Sequence, residues 1–461
     1  MTKNLNRFTA EIAQKFKIEV ADFIKQYPKI EQIHIMFPDM NCIMRGKAID
    51  ISALEKISTG SMKMPFSTHG LNVWGRDVEA TGLALENGDP DGVFWPILGS
   101  LAPAPNSQTH GQILTQLLPL KTGFESPVDP RDILAKILSK FSEKGLKPVL
   151  ALELEFYLMS DQTPADGPPM PISSGKVQRV NEIDALVDQQ GFLDDVLAGC
   201  RQQSIPIDTI IAEYGRGQFE MNMLHSDNVL QAADHAMLFK HLVRHCAKKH
   251  GMRATFMAKP LAGQPGNGLH VHISVLDEVG NNIFAANQGD DTANDALLNA
   301  IAGVLDSMPD FQAIFAPHAN SYRRFMVDSH APTNLSWGYD HRGVAIRIPE
   351  FKGKNARLEH RVSGADANPY LLLTAILAGI LNGLVENMQP PSAVVNGGML
   401  GDDNLTNEWG AALRNFKKSE VAKQAFGVNY HDIYVACRHD EMNQLCAMIP
   451  DIEYLTYLHR L

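Results

Sequence analysis

Two pairs of glutamates stand at spacings that would let their carboxylates act together. Glu153 and Glu155 alternate within the apolar run at 148–158, so a strand would point both toward one face. Glu213 and Glu220 flank a loop with two glycines, which can fold back and bring them to one point. Like charges so close together are costly in a core unless a cation or a proton offsets them. The pattern indicates either a divalent-cation site or a solvated strand face.

A second alternating pair is formed by imidazoles. His270 and His272 follow a glycine-rich loop, and Glu359 lies between two arginines farther along the chain. Alone, the histidine pair fits an exposed strand face or a zinc site, and Glu359 fits a structural ion-pair ladder. In the whole set the carboxylates outnumber the imidazoles, and oxygen-rich sites suit Mg²⁺ or Mn²⁺ better than Zn²⁺. We therefore expect magnesium or manganese at this site.

Basic residues are concentrated between 323 and 361, where apolar residues such as Val344 and Ile346 separate them. Planar guanidinium groups bind anions through paired hydrogen bonds, and a phosphoryl-transfer site places such cations opposite its divalent metal. A solvated basic face is the alternative, which the apolar neighbours disfavour. The basic residues are Arg323, Arg324, Arg342, Arg347, Lys354, Arg357 and Arg361.

Bulk composition restricts the class of function. The net charge of −11 argues against nucleic acid as the main partner, and the five cysteines form no C-x-x-C pair. We expect reduced thiols, a cytoplasmic location and no secretory signal. The most apolar stretch, at 370–384, is too short to span a bilayer and predicts a buried helix. Because neither common glycine-rich phosphate motif occurs, any nucleotide must be held in another way.

The elements that must position these residues follow no regular βαβ rhythm. Strands are predicted at 33–37, 43–49, 148–158, 206–212, 218–224, 269–275 and 344–348. Helices are predicted at 8–24, 133–144, 229–250, 369–386 and over the C-terminal 50 residues. This order favours an α+β fold over a doubly wound sheet. A proline-rich stretch near 119–130 is the candidate domain boundary.

In chain order, the motifs resemble those of the glutamine synthetase superfamily, and the resemblance covers essentially the whole chain. The matching strings are Leu152-Glu-Leu-Glu-Phe156, Glu213 through Gly217-Gln-Phe-Glu220, Phe256-Met-Ala-Lys-Pro260, Gly266-Asn-Gly-Leu-His-Val-His272, Asn320-Ser-Tyr-Arg-Arg324, Arg342 through Arg347-Ile-Pro349, Arg357-Leu-Glu-His-Arg361 and Ala367-Asn-Pro-Tyr370. The resemblance implies that ATP phosphorylates the γ-carboxylate of glutamate and that an amine then attacks the γ-glutamyl phosphate.

The resemblance also assigns roles to residues. One metal ion would be held by Glu155, Glu213 and Glu220, and the other by Glu153, His270 and Glu359. The nucleotide would contact Asp208, His272, Ser274, Arg342, Arg347, Lys354 and Arg357, and glutamate would contact Gly266, Arg324, Arg342 and Arg361. Asp39 resembles the aspartate that takes the amine proton in a neighbouring subunit's site, and the residues that would act in catalysis are Asp39, Arg342 and His330. Two positions depart from the pattern, with Pro265 in place of an asparagine and Cys42 in place of a glycine.

The identity of the amine depends on a third departure. His330 stands where ammonia-using enzymes have a glutamate that closes over the ammonium, and an imidazole attracts a small cation less. Together with Trp337-Gly-Tyr-Asp340, it resembles the γ-glutamylpolyamine synthetase branch, whose nucleophile is a larger amine such as putrescine. The alternatives are an ammonia-dependent glutamine synthetase, a ligase for a monoamine such as ethanolamine, and a non-catalytic relative.

The resemblance further implies the architecture. We expect an N-terminal β-grasp-like domain over 1–118 and a catalytic domain with a curved antiparallel sheet over 119–461. Active sites shared between subunits imply a ring, most simply a homo-dodecamer of two hexamers. The expected ligands are ATP, Mg²⁺ or Mn²⁺, glutamate and an amine, with neither nucleic acid nor a membrane as partner.

Overall fold

The computed structural model describes residues 10–120, 128–162, 170–172, 179–326, 331–395 and 404–461. Its strands are β1 (Gln32–Pro38), β2 (Met44–Asp50), β3 (Lys63–Pro65), β4 (Asp91–Pro96), β5 (Ala102–Pro103), β6 (His110–Pro119), β7 (Lys147–Ser160), β8 (Ile207–Ala212), β9 (Gln218–Met223), β10 (Met252–Thr255), β11 (Leu269–Leu276), β12 (Trp337–Tyr339), β13 (Ile346–Glu350) and β14 (Arg357–His360). Its helices are α1 (Ala10–Gln26), α2 (Pro130–Ser142), α3 (Ile183–Val187), α4 (Gln190–Gln202), α5 (Val229–Lys249), α6 (Asp295–Phe315), α7 (Pro369–Glu386), α8 (Trp409–Lys418), α9 (Glu420–Phe426), α10 (Val428–Ala447) and α11 (Asp451–Tyr457).

The first six strands form one mixed sheet in the order β2-β1-β6-β4-β3, with β5 paired to β6. The predicted pair of strands around a turn is confirmed, since β1 and β2 pair antiparallel from Gln32 with Asp50 to Pro38 with Met44. The partner of β1 on its other side is β6, which runs parallel to it. The three remaining pairings of this sheet, β3 with β4, β4 with β6 and β5 with β6, are all antiparallel.

The remaining eight strands form a second sheet in the order β12-β13-β14-β11-β7-β9-β8, with β10 paired to β7. All its pairings are antiparallel except that of β12 with β13. The predicted strand at 148–158 becomes the long central strand β7, whose apolar residues are buried on the helix side. The α+β prediction with a largely antiparallel catalytic sheet is thus confirmed.

Helix α7 carries the most apolar part of the chain. Asn368 caps it by accepting hydrogen bonds from the backbone amides of Tyr370 and Leu371, and Pro369 occupies its first turn. Among the described residues it is the single helix long and apolar enough to cross a membrane, and 78% of that apolar window is buried inside the protein. The prediction of a buried helix here is confirmed. Its glycines pack tightly on α6, where a Cβ on Gly383 would lie 2.0 Å from the Asn299 carbonyl oxygen.

The N-terminal sheet is tied to the C-terminal helices by buried polar contacts. The Asn41 side chain accepts a hydrogen bond from Arg438 of α10, and the Asn72 side chain donates to Asp440 at 2.8 Å. Lys240 of α5 donates to the Ala367 carbonyl at 2.9 Å, close to the turn between β1 and β2. These contacts fix the first sheet against the elements that build the candidate site.

Candidate active site

Strand register brings the predicted acidic and imidazole residues side by side. Strand β7 lies between β11 and β9, and β14 pairs with the other side of β11. Because residues paired across antiparallel strands point to the same face, each pairing below joins two side chains on one face. The paired residues are Glu153 with His270, Glu155 with Glu220, and His272 with Glu359.

A cavity of about 690 Å³ opens where these strands meet. All six residues predicted to bind metal line it, as do Gly266 and four of the predicted basic residues. The convergence of anionic and cationic side chains that the sequence predicts is therefore present in the structure. The predicted residues that line the cavity are Glu153, Glu155, Glu213, Glu220, His270, Glu359, Gly266, Arg324, Arg342, Arg347 and Arg361.

Two groups of side chains place possible metal-ligand atoms within 4.8 Å of one another. One consists of Glu153, Glu220 and His270, and the other of Glu153, His272 and Glu359. Glu153 belongs to both, so the carboxylates form one continuous cluster. The resemblance implies that one metal ion is held by Glu155, Glu213 and Glu220 and the other by Glu153, His270 and Glu359. The distances group the residues differently, so this assignment stays a prediction.

The hydrogen bonds of Glu153 define how the two imidazoles are protonated. His272 Nδ1 accepts from Arg357 Nε at 3.2 Å, so the ring proton of His272 lies on Nε2, which donates to Glu153 at 2.8 Å. His270 contacts the other oxygen of Glu153 through Nδ1 at 3.2 Å, which leaves Nε2 for a metal ion. Histidine ligands commonly donate their second nitrogen to a carboxylate in this way. His270 is thus oriented as a ligand, and His272 orients Glu153.

Crowding of the carboxylates perturbs their protonation. Burial first, and then the neighbouring negative charges, raises the pKa of Glu220 to about 9. Burial and the charge of Glu155 also raise the pKa of Glu213. Burial would raise the pKa of Glu153 as well, but the hydrogen bonds from His270 and His272 outweigh it and lower that pKa. A divalent cation would relieve the same repulsion that protons relieve here, and the oxygen-rich donor set fits Mg²⁺ or Mn²⁺.

Glu359, which pairs with His272 across β14 and β11, lies between two arginines. Arg347 donates to one of its oxygens at 2.9 Å, and Arg361 donates to the other. Burial would raise the pKa of Glu359, but the charges of Arg361, His270 and His272 together outweigh burial and lower that pKa. Arg361 also donates to the Arg342 carbonyl at 3.2 Å. The ion-pair ladder considered from the sequence is real, and it forms part of the cavity wall.

Gly266 allows an arginine to reach the cavity. A Cβ at this position would lie 2.7 Å from Arg324 Cγ and 2.6 Å from the Ala258 carbonyl oxygen, so no larger residue fits. The Arg324 guanidinium is buried and donates to the Val362 carbonyl at 2.9 Å. The glycine and the arginine, which the resemblance assigns to glutamate binding, are therefore packed directly against each other.

The Asn320-Ser-Tyr motif acts as a scaffold for Arg324. The Asn320 side chain accepts from the Lys259 backbone amide at 2.8 Å and donates to the Lys259 carbonyl at 3.0 Å. The Ser321 hydroxyl donates to Asp366 at 2.6 Å. These bonds join three segments that are distant in sequence, and they fix the backbone from which the arginine extends.

Gln218 is a site residue for which no role is predicted from the sequence. It is buried, and its Nε2 lies within hydrogen-bond distance of three oxygens: Glu155 Oε2 at 3.1 Å, the Gly266 carbonyl at 3.0 Å and Asn267 Oδ1 at 3.1 Å. Glu155 also accepts from the Gly268 amide at 2.7 Å. The only sequence signal was the position of Gln218 inside the motif that ends at Glu220.

Part of the predicted nucleotide set lies outside the residues that line the cavity. Asp208 is exposed on β8, and Lys354 is exposed in the short 3₁₀ helix at 353–355. The Ser274 hydroxyl donates to the Ala356 carbonyl at 2.8 Å. Arg357 donates to His272, which contacts Glu153 but is not itself among the lining residues. The nucleotide roles of these residues stay predictions.

The three residues predicted to act in catalysis have different locations. Arg342 lines the cavity, whereas His330 lies outside the described residues. Asp39 is fully buried in the turn after β1 and is not part of the cavity lining. Its carboxylate accepts from two backbone amides of that turn, at 2.8 and 2.9 Å, and pairs with Arg45 at 2.9 Å. Within this chain, the Asp39 carboxylate uses these contacts to stabilise the turn.

Comparison with known proteins identifies sequences related along most of the chain. The family profile described as glutamine synthetase, catalytic domain, matches residues 127–457. The γ-glutamylputrescine synthetase PuuA of Escherichia coli (strain K12) is 38% identical over 447 residues, which cover 95% of this chain and 94% of that protein. The glutamate–isopropylamine ligase of a Pseudomonas species is 30% identical and covers 97% of this chain and 99% of its own length.

Solved structures show the same fold. A GmaS/ADP complex superposes with a TM-score of 0.83 at 24% identity, covering 95% of this chain and 99% of that one. GmaS without ligand gives a TM-score of 0.82 at the same identity and coverage. The sheet order and helix packing described above are therefore those of a known architecture.

Proposed function

This chain belongs to the glutamine synthetase family, and from that membership we propose that it is an ATP-dependent ligase joining the γ-carboxylate of glutamate to a primary amine of a polyamine such as putrescine. The observation that carries the proposal is the cavity, whose lining combines five glutamates and His270 with four arginines. Phosphoryl transfer requires this division, with divalent cations on one side of the phosphate and guanidinium groups on the other.

The chemistry requires that the carboxylate be activated. A glutamate γ-carboxylate has no leaving group, and transfer of the terminal phosphoryl group of ATP creates a γ-glutamyl phosphate that an amine can attack. Mg²⁺ or Mn²⁺, held by the carboxylates and His270, would supply positive charge to the phosphate oxygens. Arg347 and Arg361, which Glu359 aligns through its two oxygens, would neutralise the charge that develops during transfer.

The glutamate substrate would lie against the opposite end of the cavity. Arg324 and Gly266 pack together there, and Arg342 stands at the exposed edge beside Gly343. Guanidinium groups bind carboxylates through two parallel hydrogen bonds, which would orient the α-carboxylate and direct the γ-carboxylate toward the metal ligands. Gln218 would hold the Gly266 backbone and Glu155 in their relative positions.

Two sequence observations support a polyamine as the second substrate. The relative named γ-glutamylputrescine synthetase matches along 95% of this chain, and His330 replaces the acidic residue expected over an ammonium ion. The glutamate–isopropylamine ligase, which matches along 97% of the chain, favours a monoamine as the second candidate. Several glutamine synthetases also match, and the one from Thermococcus kodakarensis is 34% identical over 66% of this chain. Ammonium is therefore the third candidate for the second substrate.

An amine panel tests the proposal. The purified protein with Mg²⁺, ATP and glutamate is assayed for phosphate release with putrescine, spermidine, ethanolamine, isopropylamine and ammonium in turn. We expect the highest kcat/KM with putrescine, and mass spectrometry should identify γ-glutamylputrescine as the product. A higher kcat/KM with ammonium or with either monoamine would overturn the polyamine assignment. No phosphate release with any amine would overturn the ligase proposal itself.

The proposal includes the whole-chain expectations drawn from the resemblance. We propose an N-terminal domain over 1–118 followed by a catalytic domain over 119–461, and a homo-dodecamer whose sites lie between subunits. The two separate sheets, one ending at Pro119 and the other beginning at Lys147, support that division. A cytoplasmic location is proposed with them, in keeping with five free cysteines, four of them buried.

A further inference from the structure

Helix α10 carries a buried ion pair that lies outside the cavity lining. Arg438 Nη1 donates to Glu441 Oε2 at 2.7 Å, and the two residues are one helical turn apart. Both are almost completely buried, with 0% of Arg438 and 3% of Glu441 exposed. Because burying two charges costs desolvation energy, a pair of this kind is weak evidence for stability, and its further contacts are more informative.

The Glu441 carboxylate also binds the residue that precedes the segment carrying Arg324. Glu441 Oε1 lies 2.9 Å from His318 Nδ1, which must donate because a carboxylate only accepts. Burial would raise the pKa of Glu441, but the hydrogen bond from His318 and the charges of Arg438 and His318 together outweigh it and lower that pKa. Glu441 is therefore ionised at neutral pH and accepts from both neighbours.

Arg438 is anchored on its other side to the N-terminal sheet. Its Nη2 donates to the Asn41 side chain, and Asn41 Nδ2 donates in turn to the Leu71 carbonyl at 3.1 Å. Arg438 Nη1 also lies 3.4 Å from the Pro317 carbonyl oxygen. The ion pair thus connects the turn between β1 and β2 with the backbone directly before His318.

His318 stands at the start of the 3₁₀ helix Ala319–Phe325, which contains Arg324. The His318 backbone amide donates to the Ser321 hydroxyl at 3.0 Å, so the position of His318 sets the first turn of this helix. Arg324 is buried and packs so closely on Gly266 that a Cβ there would lie 2.7 Å from its Cγ. A small shift of the helix would therefore move the guanidinium from its place in the cavity lining.

We propose that Arg438, Glu441 and His318 are positioning residues for glutamate binding, which presupposes the ligase function proposed above. They would hold the guanidinium of Arg324 where the substrate carboxylate binds, without contacting the substrate themselves. Their removal should weaken glutamate binding selectively, because Arg347, which would act on the ATP phosphates, extends from strand β13. Helix α10 and the N-terminal sheet would in this way determine the geometry of the glutamate site.

The His318→Ala variant tests the proposal, because it leaves the buried pair of Arg438 and Glu441 intact. We expect the KM for glutamate to rise about three- to tenfold, the equivalent of one lost hydrogen bond, while the KM for ATP changes less than about twofold. Both are measured by phosphate release with saturating amine. His318→Asn should keep a KM for glutamate close to that of the parent, since its amide can donate to Glu441 from nearly the position of Nδ1. Glu441→Gln should raise the same KM and lower the melting temperature further, because it leaves a buried charge unpaired.

The matched control is Asp234→Asn, which breaks a buried ion pair elsewhere. Asp234 accepts two hydrogen bonds from Arg131, at 2.9 and 3.0 Å, and one from Tyr370 at 2.7 Å, which join α5 to α2 and α7. This variant should lower the melting temperature and change both KM values by the same factor. A selective rise of the KM for glutamate in Asp234→Asn would overturn the positioning role.

Two results with the His318 variants would also overturn it. One is a KM for glutamate that is unchanged in His318→Ala or rises only by the same factor as the KM for ATP. The other is a His318→Asn variant that behaves like His318→Ala. A parent protein that consumes no ATP with glutamate and any amine would overturn the ligase function, and the positioning role with it, whereas the first two results in an active parent would overturn the positioning role alone.

Discussion

At the scale of single residues, Glu359 connects the two halves of the proposed chemistry. Its possible metal-ligand atom lies within 4.8 Å of those of Glu153 and His272, and its two oxygens accept hydrogen bonds from Arg347 and Arg361. Substituting Glu359→Gln keeps the size of the side chain but removes its charge. The arginines then lose their anionic partner and the metal cluster loses a ligand, so both functions should fail together.

We expect Glu359→Gln to lower kcat/KM by about 100-fold or more, in line with the loss of one electrostatic contact in an active site. The Mg²⁺ concentration for half-maximal activity should also rise, because second-sphere and ligand changes typically weaken metal binding about 10- to 100-fold. Steady-state phosphate release at varied Mg²⁺ measures both. The variant Glu386→Gln, at the exposed end of α7, is the matched control. Unchanged kinetics in Glu359→Gln would contradict its proposed role.

Gln218 offers a second test at the same scale. Its amide is near three buried oxygens, and Gln218→Met would leave them without that donor while keeping the volume. Each unsatisfied buried acceptor is expected to cost about 1–3 kcal/mol. We expect a lower melting temperature and a larger rise in the KM for glutamate than in the KM for ATP, since Gly266 and Glu155 lose their common partner. Equal rises in both KM values would show that Gln218 acts only through overall stability.

At the scale of elements, the turn between β1 and β2 holds a predicted catalytic residue whose role a single subunit leaves untested. Asp39 resembles a catalytic aspartate in its local sequence, yet its carboxylate is buried and paired with Arg45. Burial raises its pKa against the opposing effect of Arg45. Its backbone carbonyl also accepts from Asn368, more than three hundred residues away. No local pattern could reveal that contact, because it depends on how the first sheet docks on α7.

We therefore expect Asp39→Asn to act through the turn. Loss of the charged hydrogen bonds should destabilise the protein by about 1–3 kcal/mol and should lower phosphoryl transfer and amine transfer to the same extent. Urea unfolding gives the first quantity. Hydroxylamine trapping of the acyl phosphate gives the rate of phosphoryl transfer, and formation of γ-glutamylputrescine gives the rate of amine transfer. A selective loss of amine transfer with normal stability would instead support Asp39 as the base that serves a neighbouring subunit.

Other elements followed from sequence directly. Alternation of residues predicted β7 and β11, and the apolar run at 370–384 predicted α7. The pairing of Glu155 with Glu220, and the role of Gln218 between them, required the strand order β11-β7-β9, which no single segment encodes. The spacing of apolar residues and the composition of a segment determine whether it forms a helix or a strand. Which elements pack beside it depends on contacts between residues that are distant in sequence. For this reason the site residues were predictable as a set but not in their pairwise contacts.

At the scale of the whole molecule, the C-terminal segment is notable for its exposed apolar surface. After α10 the chain exposes Met448, Ile449, Ile452, Leu455 and Leu458, each more than half accessible. Helix α11 has no buried residue. A contiguous apolar patch of this kind on a folded protein marks a protein–protein contact. The proposed ring assembly would supply the surface that covers it.

Deletion of residues 448–461 should therefore reduce the size of the assembly without unfolding the subunit. The deleted segment buries no side chain in this chain, so the far-ultraviolet circular dichroism per residue should stay nearly unchanged. Light scattering coupled to size-exclusion chromatography should show a lower mass than for the full chain, and specific activity should fall if the sites lie between subunits. The matched control is Leu85→Asp, which removes an equally exposed leucine outside the segment and should leave the mass unchanged. An identical mass for the truncated and full chains would show that the assembly does not depend on this segment, and the apolar surface would then require another partner.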